Sequence, residues 1–159
     1  MDAPRRRGRL TGTRDRRYVP GETMTTTNTT GLRILLVEDE PANAYLFREF
    51  LRRAPGLAGA VICEADRLSR AIERLATEHF DLVFLDLGLP DSYGLPTLEA
   101  FRRQAPRIPV VVLSGSVDPA TEEEARAHGA AAFLNKADTF PGSLERAVRD
   151  ALLVLPDLS

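Results

Sequence analysis

From Arg33 onward the chain alternates short apolar runs with segments whose apolar residues recur at helical spacing. The runs Ile34–Val37, Leu82–Leu85 and Val110–Leu113 are strand-length and show no polar alternation. Runs of that kind belong to parallel strands buried on both faces by covering helices. The pattern predicts strands at about 33–38, 60–64, 81–86, 109–114 and 131–134. A first helix is predicted from about Pro41, since proline suits the first helical position. It puts Ala44, Phe47 and Leu51 on one face, with Leu46 and Phe50 beside them. A second helix spaces Leu68, Ala71, Ile72, Leu75 and Ala76 at i, i+3, i+4, i+7 and i+8. A third is predicted over about 95–104. A fourth, over about 119–128, opens with Glu122-Glu123-Glu124, acids that suit a positive helix N-terminus. A fifth repeats the apolar spacing through Leu144, Ala147, Val148, Ala151, Leu152 and Leu155. Five consecutive βα units joined by right-handed crossovers give an α/β fold, a doubly wound five-stranded parallel sheet with five helices.

The residues that end these strands carry the chemistry. Ile34–Val37 runs into Glu38-Asp39, Leu82–Leu85 into Asp86, Val110–Leu113 into Ser114, and Ala130–Asn135 into Lys136. Carboxyl ends of parallel strands converge on one crevice, where open α/β sheets bind ligands. Three carboxylates, a hydroxyl and an ammonium around one spot describe a divalent-metal and phosphoryl site. Taken singly, each has a plainer role: Glu38-Asp39 and Ser114 as helix caps, Asp86 at a turn, Lys136 in solvent. Their joint placement at successive strand exits favours the site. Lys136 is also the only lysine among the 21 basic residues of a chain otherwise supplied with arginine. An ammonium is a compact point charge where a guanidinium is a wide planar fork.

Mg²⁺ takes oxygen ligands in octahedral geometry and keeps several waters, so Glu38, Asp39 and Asp86 suit it. If the site transfers phosphoryl groups, Asp86 is the candidate nucleophile, alone at the end of the most apolar strand.

Composition narrows the setting. No segment approaches the ~20 apolar residues of a membrane span, and the expected location is the cytoplasm. The single cysteine, Cys63, excludes an intramolecular disulfide and reads as a small buried hydrophobe on the second strand. Residues 1–31 carry seven arginines against three acids, a net of +4, while residues 32–159 carry a net of −6. The acidic body argues against nucleic-acid binding. Residues 1–31, basic and threonine-rich, are expected to be disordered, with Met24 as the expected natural start. The domain is expected over 32–155, leaving 156–159 as a short C-terminal tail.

The stretches Ile34–Pro41, Leu82–Gly94, Pro109–Gly115 and Gly129–Lys136 together resemble the receiver domains of two-component response regulators. The resemblance covers residues 32–155 and implies a flavodoxin-like strand order, 2-1-3-4-5. It implies that Asp86 accepts phosphate from a phosphohistidine on a sensor histidine kinase or a histidine phosphotransfer protein. Glu38, Asp39, Asp86 and the Gly88 backbone carbonyl would hold Mg²⁺. Ser114 would hydrogen-bond the phosphoryl group, Lys136 would pair with it, and Phe133 would be the aromatic switch. The family usually has proline after the lysine, often cis; Ala137 stands here, so a trans or reshaped loop is expected.

This resemblance leads to the expectation of a stand-alone receiver that catalyses only its own phosphorylation and dephosphorylation. It would present the face of its fourth helix, fifth strand and fifth helix to an unidentified protein target. The alternative is a receiver-fold interaction module that works without phosphorylation; the intact site argues against it. A haloacid-dehalogenase-like phosphohydrolase is disfavoured because Glu38-Asp39-Glu40-Pro41 stands where Asp-x-Asp would be required. His79 and His128 are not read as phosphodonors.

Overall fold

A computed structural model describes residues 31–115 and 118–153. The expected N-terminal tail apart from Gly31, and everything after Leu153 including Leu155, lie outside those residues.

Parallel strands β1 (Arg33–Val37), β2 (Val61–Ala65), β3 (Leu82–Asp86), β6 (Val110–Ser114) and β7 (Ala132–Asn135) form one sheet in the order β2-β1-β3-β6-β7. This is the implied 2-1-3-4-5 order, with β6 and β7 as the fourth and fifth predicted strands. The shift in numbering comes from an unpredicted feature, an antiparallel pair of two-residue strands, β4 (Gly88–Leu89) and β5 (Ser92–Tyr93). Gly94 closes this hairpin: its φ is 76°, and its amide donates to the Leu87 carbonyl at 2.7 Å. A side chain at that φ would be strained.

The five helices are α1 (Pro41–Arg53), α2 (Leu68–Thr77), α3 (Leu95–Gln104), α4 (Pro119–Ala127) and α5 (Pro141–Leu153). Strand residues alternate between two cores because successive side chains point to opposite faces. Ile34, Leu36, Phe84, Val111, Leu113 and Leu134 pack under α1 and α5. Leu35, Val37, Val83, Leu85, Val110 and Val112 pack under α2, α3 and α4. Phe84 is fully buried and meets Phe47 of α1 edge-on at 4.8 Å between ring centroids. Truncating such a ring to alanine costs about 3–5 kcal/mol.

Three details depart from the pattern-based expectation. Leu46 is 50% exposed, because the apolar stripe of α1 is narrower than the run of large residues on it. Ala76 is exposed and Ala71 is the one buried residue of α2. Cys63 is half-buried, since β2 is an edge strand and has a neighbour on one side only. No described helix is long and apolar enough to cross a membrane.

Candidate functional site

Glu38 follows β1, and its amide extends the ladder by donating to the Ala65 carbonyl at 3.0 Å. That contact fixes the backbone, and the side chain turns into the crevice almost fully buried. Glu38 Oε2 accepts from the Glu40 amide at 3.1 Å, and Oε1 lies 2.9 Å from Lys136 Nζ. Asp86, the last residue of β3, is also buried. Its Oδ1 accepts from the Gly88 amide at 3.0 Å, and its Oδ2 accepts from Lys136 Nζ at 2.9 Å. Asp39 is half-buried beside them. One carboxylate oxygen from each of Glu38, Asp39 and Asp86 lies within 4.8 Å of the others.

The charges do not balance. Three carboxylates face one ammonium, a formal excess of two negative charges. Burial pushes the Glu38 carboxyl above the ordinary glutamate range; the hydrogen bond from Lys136 counters part of that, and Asp86 adds to the rise. Burial also works against the Lys136 ammonium, but its bonds to Glu38 and Asp86 prevail and hold its pKa above the ordinary lysine value. An all-oxygen donor set with two negative charges in excess fits a hard dication.

Ser114 ends β6 and is buried. Ser114 pairs with Asn135 and Val112 with Phe133 in the register of β6 and β7. Val112 and Phe133 share the α2–α3–α4 core, and Ser114 alternates onto the same face as Val112. Ser114 and Phe133 are therefore diagonal neighbours across adjacent strands. Phe133 is half-buried and borders a groove of about 400 Å³ between α4 and α5, where Phe140, Asp118, Glu122, Asp138 and Arg146 also lie.

Lys136 opens a short 3-10 turn, Lys136–Asp138. Asn135 Oδ1 caps it by accepting from the Ala137 amide at 2.8 Å. Proline at 137 would have no N–H for that bond. All described peptide bonds are trans, as the alanine led one to expect. His79 bonds Asp81 Oδ1 at 2.9 Å in the loop before β3, and His128 follows the last turn of α4.

The structure thus brings Glu38, Asp39, Asp86 and Lys136 together, with Ser114 and Gly88 at adjoining strand ends. Sequence reasoning missed Asp91. Its carboxylate accepts from the amides of Leu68 and Ser69, at 2.9 and 3.0 Å, across from the hairpin to α2. The signal was an acid in a Pro-Asp turn, which says nothing about a partner more than 20 residues away.

A doubly wound sheet whose strand ends gather three acids, a hydroxyl and a lysine defines a class, and sequence comparison agrees. The response regulator receiver domain family matches residues 34–147, and this chain belongs to it. Among relatives, the KDP operon transcriptional regulatory protein KdpE of Escherichia coli is 38% identical over 119 residues, 75% of this chain and 50% of that protein. The glycerol metabolism activator of Pseudomonas putida is 31% identical over 133 residues, 79% of this chain and 58% of that protein. The match therefore spans about half the length of these two relatives. Among solved structures, the chemotaxis response regulator CheY4 of Vibrio cholerae superposes with a TM-score of 0.66 at 23% identity, over 77% of this chain and 100% of that one. That likeness concerns the fold.

Proposed function

We propose that this receiver is a phosphorylation switch in which Asp86 accepts a phosphoryl group from a phosphohistidine. The donor is a sensor histidine kinase or a histidine phosphotransfer protein, and the setting is the cytoplasm. The observation that carries the reading is the Lys136 ammonium, held at 2.9 Å from both Glu38 and Asp86 beside a three-carboxylate cluster. Glu38, Asp39, Asp86 and the Gly88 carbonyl would hold Mg²⁺, which supplies neutralising charge for a phosphoryl group. A carboxylate oxygen of Asp86 forms the new O–P bond as the P–N bond to the donor imidazole breaks. The imidazole keeps the electron pair and takes a proton from solvent. Positioning and charge neutralisation do most of the work in such transfers. Lys136 pairs with the transferred oxygens and the Ser114 hydroxyl donates to one of them. The acyl phosphate is later hydrolysed at the same site, so the protein turns over no substrate but its own phosphate.

The added charge and acceptor oxygens draw in Ser114 and Lys136. The space vacated behind β6 admits the Phe133 ring, its diagonal neighbour. That movement alters the face of α4, β7 and α5, which an unidentified protein target reads.

Incubation with acetyl phosphate and Mg²⁺, followed by intact-mass measurement, tests the reading. Wild type is expected to gain one phosphoryl group and Asp86→Asn none. The amide is nearly isosteric and relieves acid crowding, so the variant should melt no lower than wild type. Stoichiometric labelling of Asp86→Asn, or a wild type that never labels, would overturn it. Rapid release of phosphate with no labelled state would instead mark a hydrolase.

A further inference from the structure

Helix α2 lacks a cap of its own. Its N-cap residue is Arg67, in extended backbone conformation, and no side chain there accepts from the first turn. An arginine has donors only, so it cannot meet the unpaired amides that open every helix. Asp91 meets them from a distance. It sits between β4 and β5, and each of its carboxylate oxygens takes one amide, Oδ1 that of Leu68 and Oδ2 that of Ser69. Burial works against the Asp91 carboxylate, but these bonds, with those from the Ser69 hydroxyl and its own amide, prevail and hold its carboxyl below the ordinary aspartate range.

The hairpin so clipped leads directly to the acid cluster. Asp91 lies between Leu89 and Ser92, which pair across the ladder, and Gly88 pairs with Tyr93 in the next rung. The Gly88 amide then donates to Asp86 Oδ1 at 3.0 Å. A two-residue ladder fixes little by itself, since an isolated hairpin is marginal in water. The hairpin needs an outside anchor, and α2 needs a cap. One carboxylate serves both.

We infer that Asp91 is a positioning residue of the acceptor site: by capping α2 across the crevice it pins the β4–β5 hairpin and so fixes Gly88 against Asp86. The inference rests on the receiver reading for its consequence, namely that the pinned Gly88 carbonyl and Asp86 present a preformed place for Mg²⁺. Asp91 is not among the residues that would hold the ion or meet the phosphoryl group. It acts through the hairpin, as outer supports of metal sites commonly do.

The test separates capping from positioning in the full-length chain. Asp91→Ala removes both roles. Adding Arg67→Asp restores a local cap at the N-cap position of α2, where aspartate is favoured, and leaves the hairpin unclipped. Amide hydrogen exchange at Gly88 is read without metal, the Mg²⁺ midpoint by NMR titration, and thermal stability alongside. Asp91→Ala is expected to speed Gly88 exchange and to raise the Mg²⁺ midpoint about tenfold. The double variant is expected to recover the thermal midpoint and keep both defects. Should Asp91→Ala not fold, Asp91→Asn retains one acceptor oxygen and is expected to show the same defects to a smaller degree. Wild-type exchange at Gly88 in Asp91→Ala would overturn the inference. So would a double variant with both readings restored, which would make Asp91 a helix cap only. A wild type that binds no Mg²⁺ would count against the proposed phosphorylation switch, and Gly88 exchange would still decide whether Asp91 pins the hairpin.

Discussion

The sheet has a charged cluster near each end, and the two are built on opposite terms. Near the amino ends of the strands, Arg33 bonds Glu78 at 3.0 Å through its side chain and Asp81 at 2.9 Å through its amide, and lies over the Phe80 ring. Arg74 meets Glu78 from the other side at 2.9 Å. Two arginines thus balance two acids, and the side chains of Arg33 and Glu78 remain 34% and 29% exposed. At the carboxyl ends, the side chains of Glu38 and Asp86 are 2% and 7% exposed, and three acids share one ammonium. Solvent and a matched partner make the first cluster cheap and nearly neutral for stability. The second is unbalanced where imbalance costs most. A buried excess of negative charge fits a cation, and under the function proposed above it would separate an end that reacts from an end that only folds.

Removing the cation from each cluster should break the comparison open. Lys136→Met leaves Glu38 and Asp86 facing each other without an ammonium. A loss of about 2 kcal/mol is expected in metal-free buffer, in the range for hydrogen bonds to charged groups. Saturating Mg²⁺ should recover more of that loss in the variant than it adds to wild type. Lys136→Arg keeps the charge and should still label at Asp86. Its wider planar group should weaken the response, with Phe133 shifting about tenfold less toward its phosphorylated position at equilibrium. Full wild-type shifts at Phe133 in the arginine variant would reduce the lysine to a generic cation.

Arg33→Ala, at the other end, should cost far less stability than Lys136→Met, because solvent screens its ion pair. It should leave Mg²⁺ binding and labelling unchanged. Chemical denaturation and a labelling time course check this together. A changed labelling rate would mean that the two ends are coupled through the sheet.

The two ends also differed in how far the sequence disclosed them. The acids, the hydroxyl and the lysine were legible because each ends an apolar run, and parallel strands place such exits side by side. The same logic located all five main-sheet strands and the buried stripe Ala44, Phe47 and Leu51. Pairings between residues far apart in the chain were not legible. Nothing local links Arg33 to Glu78, or Asp91 to Leu68. The hairpin itself escaped because two residues per strand are too few to show a period of two. The half-exposed Cys63 escaped for another reason: periodicity finds a strand but does not say whether the strand is at an edge.

The smallest effect expected concerns acid, and it belongs to the exposed cluster. The hydrogen bond from Arg74 is the main cause holding the Glu78 carboxyl below the ordinary glutamate value of 4.5, against a smaller opposing desolvation. A carboxylate with a lowered folded pKa binds fewer protons in the folded than in the unfolded chain around that value. Its contribution to stability is therefore present above 4.5 and fades as the pH falls from there through the folded value. Glu78→Gln cannot titrate. Its deficit relative to wild type should be greatest near neutral pH and close progressively in acid below the ordinary value. Denaturation midpoints of the two proteins, compared at neutral pH and through the acid range, give the measurement. A deficit that stays constant, or widens as the pH falls, would show that the glutamate acts through its second acceptor oxygen, which the amide lacks, and not through its charge. The amino-end cluster would then be no charge cluster in energetic terms, and the contrast with Glu38, whose carboxyl is pushed in the opposite direction, would rest on geometry alone.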